Sequence, residues 1–490
     1  MNEYQHGAYG NVQAVGTKVS AKSRSAIVYV GTAPVHLTAG GAANVNKPVM
    51  INNMAEARKY FGYSDDWAKY TLCEAMHVHF EYKGVGPLVL INVLDAAVHK
   101  AAEKTDVNLT PENGRITIAN AESIIIDSVV VPDKTKGKDY TIAYDQKKKT
   151  MVLTELTTGA LGTAAVSITY DTVDATQVDA EDVIGSTDGE GLNTGLYAIK
   201  NVYQATGYIP SYLVVPGFSE IPEVHAAMYE VSQKINGHWD AYMMTDIPLV
   251  VDESTLTLST ANTWKQANGY NKVNETPSFP VVKGTDGNIY HFSTLRAANL
   301  QELLLENDGI PYRSPSNTEC SIIENLYLGA NVTGRVFDDE IINEKLNKHG
   351  IASAAYVGGR WALWGAHCGD YNYVDGDEIN VAETNRMMLY YISNDFQHRR
   401  MRDVDKPMTA NDIKAIVAEE QARLDALVKI GALTYGEVQL DASEDAKSDM
   451  MMGDFQFAFR VTTTPLAKSL TANVYWTSDG YVTYFSNFAA

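Results

Sequence analysis

Short apolar runs alternate with helical patterns in two separate parts of this chain. In the first part, the apolar runs Ile27–Val30 and Pro87–Val93 flank an amphipathic segment, Leu72–Phe80, with apolar residues at helical spacing. In the second part, the runs Tyr212–Val215 and Trp239–Met244 are separated by a further helical pattern. Parallel strands need crossover connections, which are usually helices. The alternation therefore predicts a largely parallel, doubly wound α/β sheet.

Residues 100–178, between these two parts, have a different pattern. Their β-branched runs are separated by Gly, Pro, Asp and Lys, and no segment repeats at the helical period. We predict an all-β, sandwich-like domain inserted into the α/β host. Within it, Ser123–Val131 is expected to be a strand, and Asp145–Lys149 is expected to form the turn of a hairpin.

The last part of the chain contains the strongest helical pattern, Thr409–Ile430. Thr409 and Asp412 form a capping-box pair at its start, and Gly431 follows its end. Short strands are predicted after it, at Glu437–Leu440, Phe455–Phe459 and Tyr481–Phe485. This composition predicts an α+β C-terminal domain.

The chain is thus expected to be an α/β multidomain protein with six parts. They are an N-terminal extended arm at 1–25, an α/β part at 26–99, the inserted all-β domain at 100–178, a central α/β domain at 179–365, the C-terminal α+β domain at 366–478, and a C-terminal arm at 479–490. The N-terminal arm carries the weakly spaced apolar residues Val12, Val15 and Val19. Such a polar segment cannot bury itself and is predicted to be either loose or docked on another surface.

Composition excludes several classes of function. The formal charge is -21, from 39 basic and 60 acidic residues among 490, which argues against binding nucleic acid. No apolar run reaches the roughly eighteen residues of a membrane helix, and no signal peptide is evident. Cys73, Cys320 and Cys368 lie far apart and support neither a disulfide framework nor a zinc ribbon. We expect synthesis in a reducing cytoplasm.

The glycines after the first apolar run do not have the spacing of a phosphate-binding loop. Gly31 stands alone and Gly40–Gly41 follow nine residues later, whereas both nucleotide-binding motifs need closely spaced glycines directly before a helix. An ordinary helix is predicted next, capped by Asn52 or Asn53 and ended by Gly62. We therefore expect no cofactor.

Two candidate metal sites fail on spacing. His77 and His79 lie near Cys73 and Glu74, but side chains two residues apart on a helix point in nearly opposite directions. Residues 370–378 are acidic, but position 5 of a calcium loop would be valine rather than an oxygen ligand. We expect no metal.

No catalytic motif is present either. The sequence lacks a G-x-S-x-G elbow, and Ser219, His225, His238 and Asp246 are only residue types from which no triad can be assembled. Gly358–Gly365 is interpreted as a strand with bulges.

A basic cluster stands out in this acidic chain. His398–Arg402 contains three arginines. It is expected to meet acidic residues of a neighbouring subunit rather than nucleic acid.

Several of these segments, in this order, resemble the sheath proteins of contractile phage tails and related injection systems. The resemblance covers most of the chain outside 100–178, and its motifs are Gly31–Pro34, Lys47–Ile51, Tyr60–Gly62, Ile184–Gly189, Leu213–Gly217, Trp239–Ala241, Arg386–Ile392 and Lys429–Leu433.

The resemblance implies a subtilisin-like central domain without catalytic residues and a structural role without a cofactor. Sheath subunits stack as hexameric rings around a tail tube and contract to drive the tube through a bacterial envelope. The implied partners are further copies of the chain, the tail tube protein, and the baseplate and tail terminator proteins. The implied location is a virion tail or tailocin-like particle, assembled in the host cytoplasm.

In such proteins, the chain ends lend strands to neighbouring subunits. The N-terminal arm and the terminal residues Tyr481, Val482, Tyr484 and Phe485 are the expected links. The polar side of the Thr409–Ile430 helix is expected to face the tube, with Lys414, Glu419, Arg423 and Asp425.

Two alternatives remain open at this point. One is a hydrolase that carries residues 100–178 as a carbohydrate-binding β module. The other is a tail-tube or receptor-binding structural protein.

Overall fold

A computed structural model describes residues 25–101, 104–329, 335, 337–374, 377–441 and 443–486. The chain divides into two compact units between Met408 and Thr409. The predicted N-terminal arm, with Val12, Val15 and Val19, lies outside the described residues.

The first unit contains most of the strands and helices. Its strands are β1 (Ser25–Gly31), β2 (Val49–Ile51), β3 (Leu88–Asn92), β4 (Thr105–Leu109), β5 (Arg115–Ile118), β6 (Tyr140–Asp145), β7 (Thr150–Glu155), β8 (Val166–Tyr170), β9 (Ile209–Val214), β10 (Tyr242–Asp246), β11 (Val250–Val251), β12 (Ser254–Thr255), β13 (Glu275–Ser278), β14 (Val281–Gly284), β15 (Ile289–Tyr290), β16 (Ile323–Tyr327), β17 (Ser353–Val357) and β18 (Arg360–Trp364). Its α-helices are α1 (Met54–Phe61), α2 (Thr71–Met76), α3 (Ala180–Ile184), α4 (Val202–Thr206), α5 (Pro222–Val231), α6 (Ala261–Ala267), α7 (Phe292–Glu306), α8 (Asp339–Lys345) and α9 (Glu383–Arg400). A π-helix, His77–Lys83, continues α2.

A six-stranded sheet forms the centre of this unit, in the order β13-β10-β9-β1-β3-β2. All neighbouring strands pair in parallel except β2, which pairs antiparallel with β3 at one edge. The prediction of a mixed, largely parallel α/β fold is confirmed. Strands from before and after residues 100–178 form the two halves of one sheet, which meet where β1 pairs in parallel with β9, so the two α/β stretches of the sequence fold together.

Both faces of this sheet are covered. Every residue of β3, β9, β10 and β13 is buried. Because successive side chains of a strand point to opposite faces, burial of all of them requires protein on each side. Helices α7 and α9 both pack against β9. This explains why the strand segments are continuous apolar runs rather than alternating ones.

The first helix begins and ends where its sequence predicts. The Asn53 side chain accepts a hydrogen bond from the backbone N–H of Glu56 at the start of α1. Gly62 follows its end with a φ of 72°. A Cβ on Gly62 would lie 2.6 Å from the carbonyl oxygen of Pro34, so both conformation and space require glycine here.

The inserted segment forms two small sheets, β4-β8 and β5-β7-β6, around a core of its own. The predicted hairpin turn lies between β6 and β7. The predicted strand Ser123–Val131 is wrong, because this segment contains two short 3-10 helices. Ser128 Oγ donates to the carbonyl oxygen of Ile125 and closes a turn. The β-branched residues of this segment fill the core without joining a sheet, and those that are buried are Ile124, Ile126, Val129 and Val131.

A turn after β1 contributes to docking the insert on its host. Leu37 of the host is part of the insert's hydrophobic core. The adjacent His36 hydrogen-bonds through Nε2 to the carbonyl oxygen of Glu122, at 2.8 Å. The carboxylate of Glu122 in turn pairs with Lys149 at 3.0 Å. The insert is therefore anchored by apolar and polar contacts as well as by its two connections to the sheet domain.

The prediction of one bulged strand at residues 358–365 is confirmed for Arg360–Trp364, which form β18, and is wrong for the two glycines before it. Gly358 and Gly359 form a turn with positive φ between β17 and β18, which pair as a hairpin. Consecutive glycines supply the left-handed conformations that such a turn requires. The tryptophans Trp361 and Trp364 lie on β18 and are half-buried against the main core.

The second unit contains α10 (Ala410–Lys429), β19 (Leu433–Leu440), α11 (Glu444–Met452), β20 (Phe457–Thr463) and α12 (Gly480–Ser486). The predicted capping box of α10 is present, with Thr409 and Asp412 bonding to each other's backbone N–H. Strands β19 and β20 form an antiparallel pair, and β19 packs against α10. Gly436 lets this strand approach, since a Cβ there would lie 2.9 Å from that of Leu424.

The predicted strand at Tyr481–Phe485 is wrong in secondary structure, because these residues lie in α12. A strand needs a neighbouring edge for its backbone hydrogen bonds, whereas a helix satisfies them within its own segment. Residues 464–479, just before it, lie outside any helix or strand.

We predict that the host sheet folds without the insert. Lys100 and Val173 form a β-bridge at its neck, so a short Gly/Ser linker can replace residues 101–172. Leu37→Ser is included because deletion would expose that side chain. We expect a soluble chain that elutes as a compact species in size-exclusion chromatography and retains its helical circular dichroism. Aggregation or loss of helical signal would show that the insert is part of the host's core.

We also predict acid sensitivity from His36. Burial lowers the pKa of His36 to about 4, so its neutral form is favoured in the folded protein. Neutral His36 therefore contributes to the free energy of unfolding. This contribution is complete above the ordinary pKa of 6.5, is lost as pH falls toward 4, and amounts to about 3 kcal/mol. The thermal midpoint should fall less between pH 7 and pH 4.5 in His36→Gln than in the unmodified chain. Equal falls would exclude this histidine as the cause.

Candidate functional site

The candidate catalytic residues of the sequence do not assemble into a triad. Asp246, the last residue of β10, donates its backbone N–H to Ser219 Oγ at 3.1 Å. Its carboxylate accepts hydrogen bonds from the backbone N–H and the hydroxyl of Ser293. Ser219 and Ser293 are both fully buried, so neither hydroxyl is placed to meet a substrate.

The two candidate histidines lie apart from these serines. His225 pairs with Glu275 at 2.7 Å and stacks on Tyr270. His238 is exposed and contacts the Trp239 ring. Within the described residues, this arrangement offers buried structural pairs rather than a nucleophile with its base.

The carboxyl edge of the sheet carries a cluster of ionisable groups, which we call the edge cluster: Glu74, Glu220, Asp246 and His291. His291 bonds to Glu74 twice, through its backbone N–H at 2.7 Å and through Nδ1 at 2.6 Å. Its Nε2 lies 3.9 Å from the Glu220 carboxylate. Burial alone would lower the pKa of His291, but the charge of Glu74 raises it to about 10.

Two carboxylates of the edge cluster, Glu220 and Asp246, have raised pKa values. Burial raises the pKa of Glu220 to about 7, against the opposing charge of His291. Burial also raises the pKa of Asp246. The carboxylates of the edge cluster lie at the start of α7, because their partner Ser293 is in its first turn and their partner His291 directly precedes it. Backbone N–H groups at a helix start favour nearby carboxylates.

The metal candidates bind to other partners. His79 is buried and hydrogen-bonds to the Tyr29 hydroxyl at 2.8 Å, while His77 pairs with Glu81 at 2.9 Å. Cys73 is buried, and Glu74 bonds to His291 as described above. No group of three or more His, Cys, Asp or Glu able to hold a metal occurs in the part of the chain that the structure describes.

The acidic segment 370–378 likewise makes structural contacts. Asp370 accepts a hydrogen bond from Asn380 Nδ2 at 2.5 Å. Asp377 accepts one from the backbone N–H of Ile379 at the start of a short 3-10 helix. These carboxylates hold the segment that leads into α9.

A buried ion pair connects three elements of the first unit. Arg296 on α7 and Glu383 at the start of α9 are both fully buried, 2.5 Å apart. Glu383 also accepts hydrogen bonds from Thr276 on β13 and from Ser314. Arg296 donates in addition to the carbonyl oxygen of Gly365. The pair thus fixes α7, α9 and an edge strand of the sheet relative to one another.

The basic cluster His398–Arg402 pairs at least in part within its own chain. Arg399 contacts Asp395 at 3.0 Å, and Arg400 contacts Asp403 at 3.3 Å. These two arginines therefore have acidic partners without a neighbouring subunit. They neutralise acidic residues near the C-terminal end of α9.

The helix predicted to face the tube has one buried face and one exposed face. Residues advance by about 100° around an α-helix, and the buried positions lie within roughly 80° of one another. They are Ile416, Glu420, Leu424 and Leu427. Gln421, beside this face, donates to the Gly436 carbonyl and accepts from the Val438 N–H, which fixes β19 on the helix.

The four residues predicted to contact the tube do not share one face. Lys414 and Asp425 are exposed and lie roughly 20° apart on the outer side of α10. Glu419 is exposed at the margin, and Arg423 is half-buried beside the packed face. Lys414 and Asp425 are thus the members of the set best placed to meet a partner.

The segment after β20 exposes large apolar side chains. Leu470, Val474 and Trp476 are 90%, 91% and 80% exposed. With Ala472, they occupy every second position from Leu470 onward. This alternation is the period-2 pattern of a half-buried strand, but the segment is not among the strands predicted from the sequence. We call residues 470–476 the alternating segment.

The aromatic residues of α12 are also accessible. Tyr481, Tyr484 and Phe485 are all exposed, and their rings contact one another. Val482 lies in the same helix. A monomeric protein normally buries such apolar groups.

Comparisons with known proteins agree with the fold. No protein-family model matches the chain. It is 24% identical to the tail sheath protein of Burkholderia phage BcepMu over 500 aligned positions, which cover 98% of each protein. It is 22% identical to the major tail sheath protein of Serratia phage KSP20 over 322 positions, covering 64% of this chain and 76% of that protein. The resemblance to the contractile tail sheath family is confirmed.

A solved sheath has the same fold. The helical sheath of the anti-feeding prophage, in its contracted state, superposes with a TM-score of 0.55 at 12% identity, covering 98% of this chain and all of that one. The fold is thus a mixed α/β fold similar to that of sheath proteins. The named relatives are structural sheath proteins rather than enzymes, so the hydrolase alternative is set aside. No helix among the described residues is long and apolar enough to cross a membrane.

We predict that the buried ion pair is required for stability. Glu383→Gln leaves the Arg296 charge buried without its partner, which should cost about 3–5 kcal/mol. The matched control is Glu306→Gln, which breaks an exposed pair with Arg313 and should cost at most about 1 kcal/mol. Thermal unfolding of the two variants measures the difference. Similar midpoints would contradict the role assigned to Glu383.

Proposed function

We propose that the chain is the structural subunit of a contractile tail sheath. It polymerises as stacked hexameric rings around a tail tube and contracts to drive the tube through a bacterial envelope. The observation that carries this proposal is the relation to a phage tail sheath protein along 98% of both chains. The fold shared with a contracted helical sheath supports it.

The proposed partners follow from that role. They are other copies of the chain, the tail tube protein, and the baseplate and tail terminator proteins. The particle is a virion tail or a tailocin-like assembly, put together in the bacterial host cytoplasm. Neither nucleic acid nor a membrane is a proposed partner, and a formal charge of -21 is unfavourable for binding nucleic acid.

We assign the link between subunits to the exposed C-terminal region. The alternating segment has one apolar side and one polar side if it is extended, with Leu470, Val474 and Trp476 on the same side. It precedes α12, which carries the originally predicted Tyr481, Val482, Tyr484 and Phe485. Both regions remain candidates for the link, and the alternating segment has the pattern of a lent strand.

The second unit of another copy offers an edge for such a strand. Among the described residues, its β19-β20 sheet has two strands, and two-stranded sheets are marginally stable alone. A lent strand would pair with an outer edge through main-chain hydrogen bonds, each contributing roughly 0.5–1.5 kcal/mol. It would also cover an edge that is otherwise prone to aggregation.

Such links would let subunits move while staying connected. In this proposal, the extended sheath is metastable and is held by its contacts to the tube and baseplate. Contraction releases free energy stored at assembly and needs no nucleotide. Val12, Val15 and Val19 of the N-terminal arm are proposed to form a second link of the same kind.

We predict that the C-terminal region is needed for assembly but not for folding. Removal of residues 470–490 should give a soluble monomer with a nearly unchanged circular dichroism spectrum that forms no tubes or rings in negative-stain images. The full-length chain should form them. A truncated chain that still assembles would exclude the linking role, and an unfolded one would assign the region to its own subunit's core.

The alternation supplies a matched pair of variants for the same assay. Val474→Ser with Trp476→Ser removes two of the three large apolar side chains from that side of the segment and should abolish assembly. Asn473→Ser with Tyr475→Ser changes the other side and should leave most assembly intact. Equal effects of the two double variants would show that the segment does not bind as a strand with one buried side.

We further predict that the outer side of α10 contacts the tube. Lys414→Glu should reduce co-sedimentation with purified tubes at low salt and spare assembly of the sheath alone, because it changes an exposed charge. Lys134→Glu, an exposed position on the insert, is the control with the same change of charge. Equal binding by both variants at every salt concentration would exclude this surface.

A further inference from the structure

The loop Pro216–Ile221 connects β9 to α5 and brings Glu220 into the edge cluster. Two contacts hold its middle. Tyr270 donates its hydroxyl to the Ser219 carbonyl at 2.7 Å, and the backbone N–H of Asp246 donates to Ser219 Oγ at 3.1 Å. Gly217 has a φ of 76°, a conformation that favours glycine.

The three carboxylates of the edge cluster are not held equally. Glu74 accepts two hydrogen bonds from His291, and Asp246 accepts two from Ser293. Glu220 has no hydrogen bond to its side chain from the described residues, and its nearest cation is His291 at 3.9 Å. Its side chain is 22% exposed. Glu220 is therefore the weakly held member and the one with a route to solvent.

The other ionisable groups around the cluster do not supply a second cation. From β1, Tyr29 faces Glu74 and Asp246, and burial holds its pKa well above 10. Tyr270 faces Glu220 and Asp246, and burial likewise raises its pKa. Glu223 on α5 is exposed, and its negative charge acts weakly on Tyr270. An ionised Glu220 would thus share one imidazolium with two better-bonded carboxylates.

We propose that Glu220 is a proton-operated latch on the loop Pro216–Ile221. Protonated, it stays in the edge cluster and the loop is closed. Ionised, it is repelled by Glu74 and Asp246, turns to solvent, and the loop opens locally while the rest of the sheet stays folded. This inference does not depend on the role of the chain as a sheath subunit.

The direction of the pH dependence follows from the raised pKa of the Glu220 carboxyl group. Its pKa is about 7 in the closed loop, compared with 4.5 for an ordinary glutamate. The closed state therefore binds a proton more readily than the open state. The resulting stabilisation of the closed loop is complete below about pH 4.5 and is lost as pH rises through 7. Between pH 6 and pH 8.5, the equilibrium constant for opening should rise about tenfold.

Hydrogen–deuterium exchange of the full-length chain tests the latch. Protection factors for the peptide from Phe218 to Met228, corrected for intrinsic exchange rates, should fall about tenfold between pH 6 and pH 8.5. Glu220→Gln is neutral at both pH values and should show little change. Glu223→Gln removes an exposed carboxylate in the same peptide and should keep the tenfold change.

Two results would overturn the proposal. One is equal protection of this peptide at both pH values in the unmodified chain, a measurement that needs no variant. The other is a tenfold change that persists in Glu220→Gln, which would assign the effect to His291 or to another group.

Discussion

The complete burial of the central parallel sheet constrains the rest of the first unit. With both faces covered, polar groups that come inside must find partners in the protein. Arg296 and Glu383 do so most directly, because each is fully buried and each makes further hydrogen bonds. At the carboxyl edge, Glu74 and Asp246 from other elements accept hydrogen bonds from backbone N–H groups at the start of α7. The residues that resemble catalytic groups are thus used as internal hydrogen-bond partners.

Local signals in the sequence predicted much of this fold. The caps at Asn53 and Thr409 and the runs that became β3 and β9 follow from side-chain chemistry within a few residues. Helix α9 was missed because its buried face includes Thr384, Asn394 and Asp395 beside methionines, so it shows no apolar stripe. Its polar residues are buried because distant elements bond to them, as Asp240 does to Asn394.

The errors at the C-terminal end have a related cause. Tyr481–Phe485 has strand-like alternation, but these residues form a helix, which needs no partner strand. The alternating segment has the same period, lies outside any helix or strand and is exposed. A sequence pattern shows which residues could form a strand, but the pairing depends on an available edge, which we propose another copy supplies. This is also why the residues that contact a partner could not be predicted from the sequence.

The central claim is that the alternating segment lies as a strand on the β19-β20 sheet of another copy. A helical cryo-electron microscopy reconstruction of the polymer formed by the full-length chain tests it most directly. The account predicts a third strand along this sheet, continuous with β20 of a neighbouring subunit, with Val474 and Trp476 on its buried side. A two-stranded sheet in the polymer, with the segment folded onto its own subunit, would contradict it.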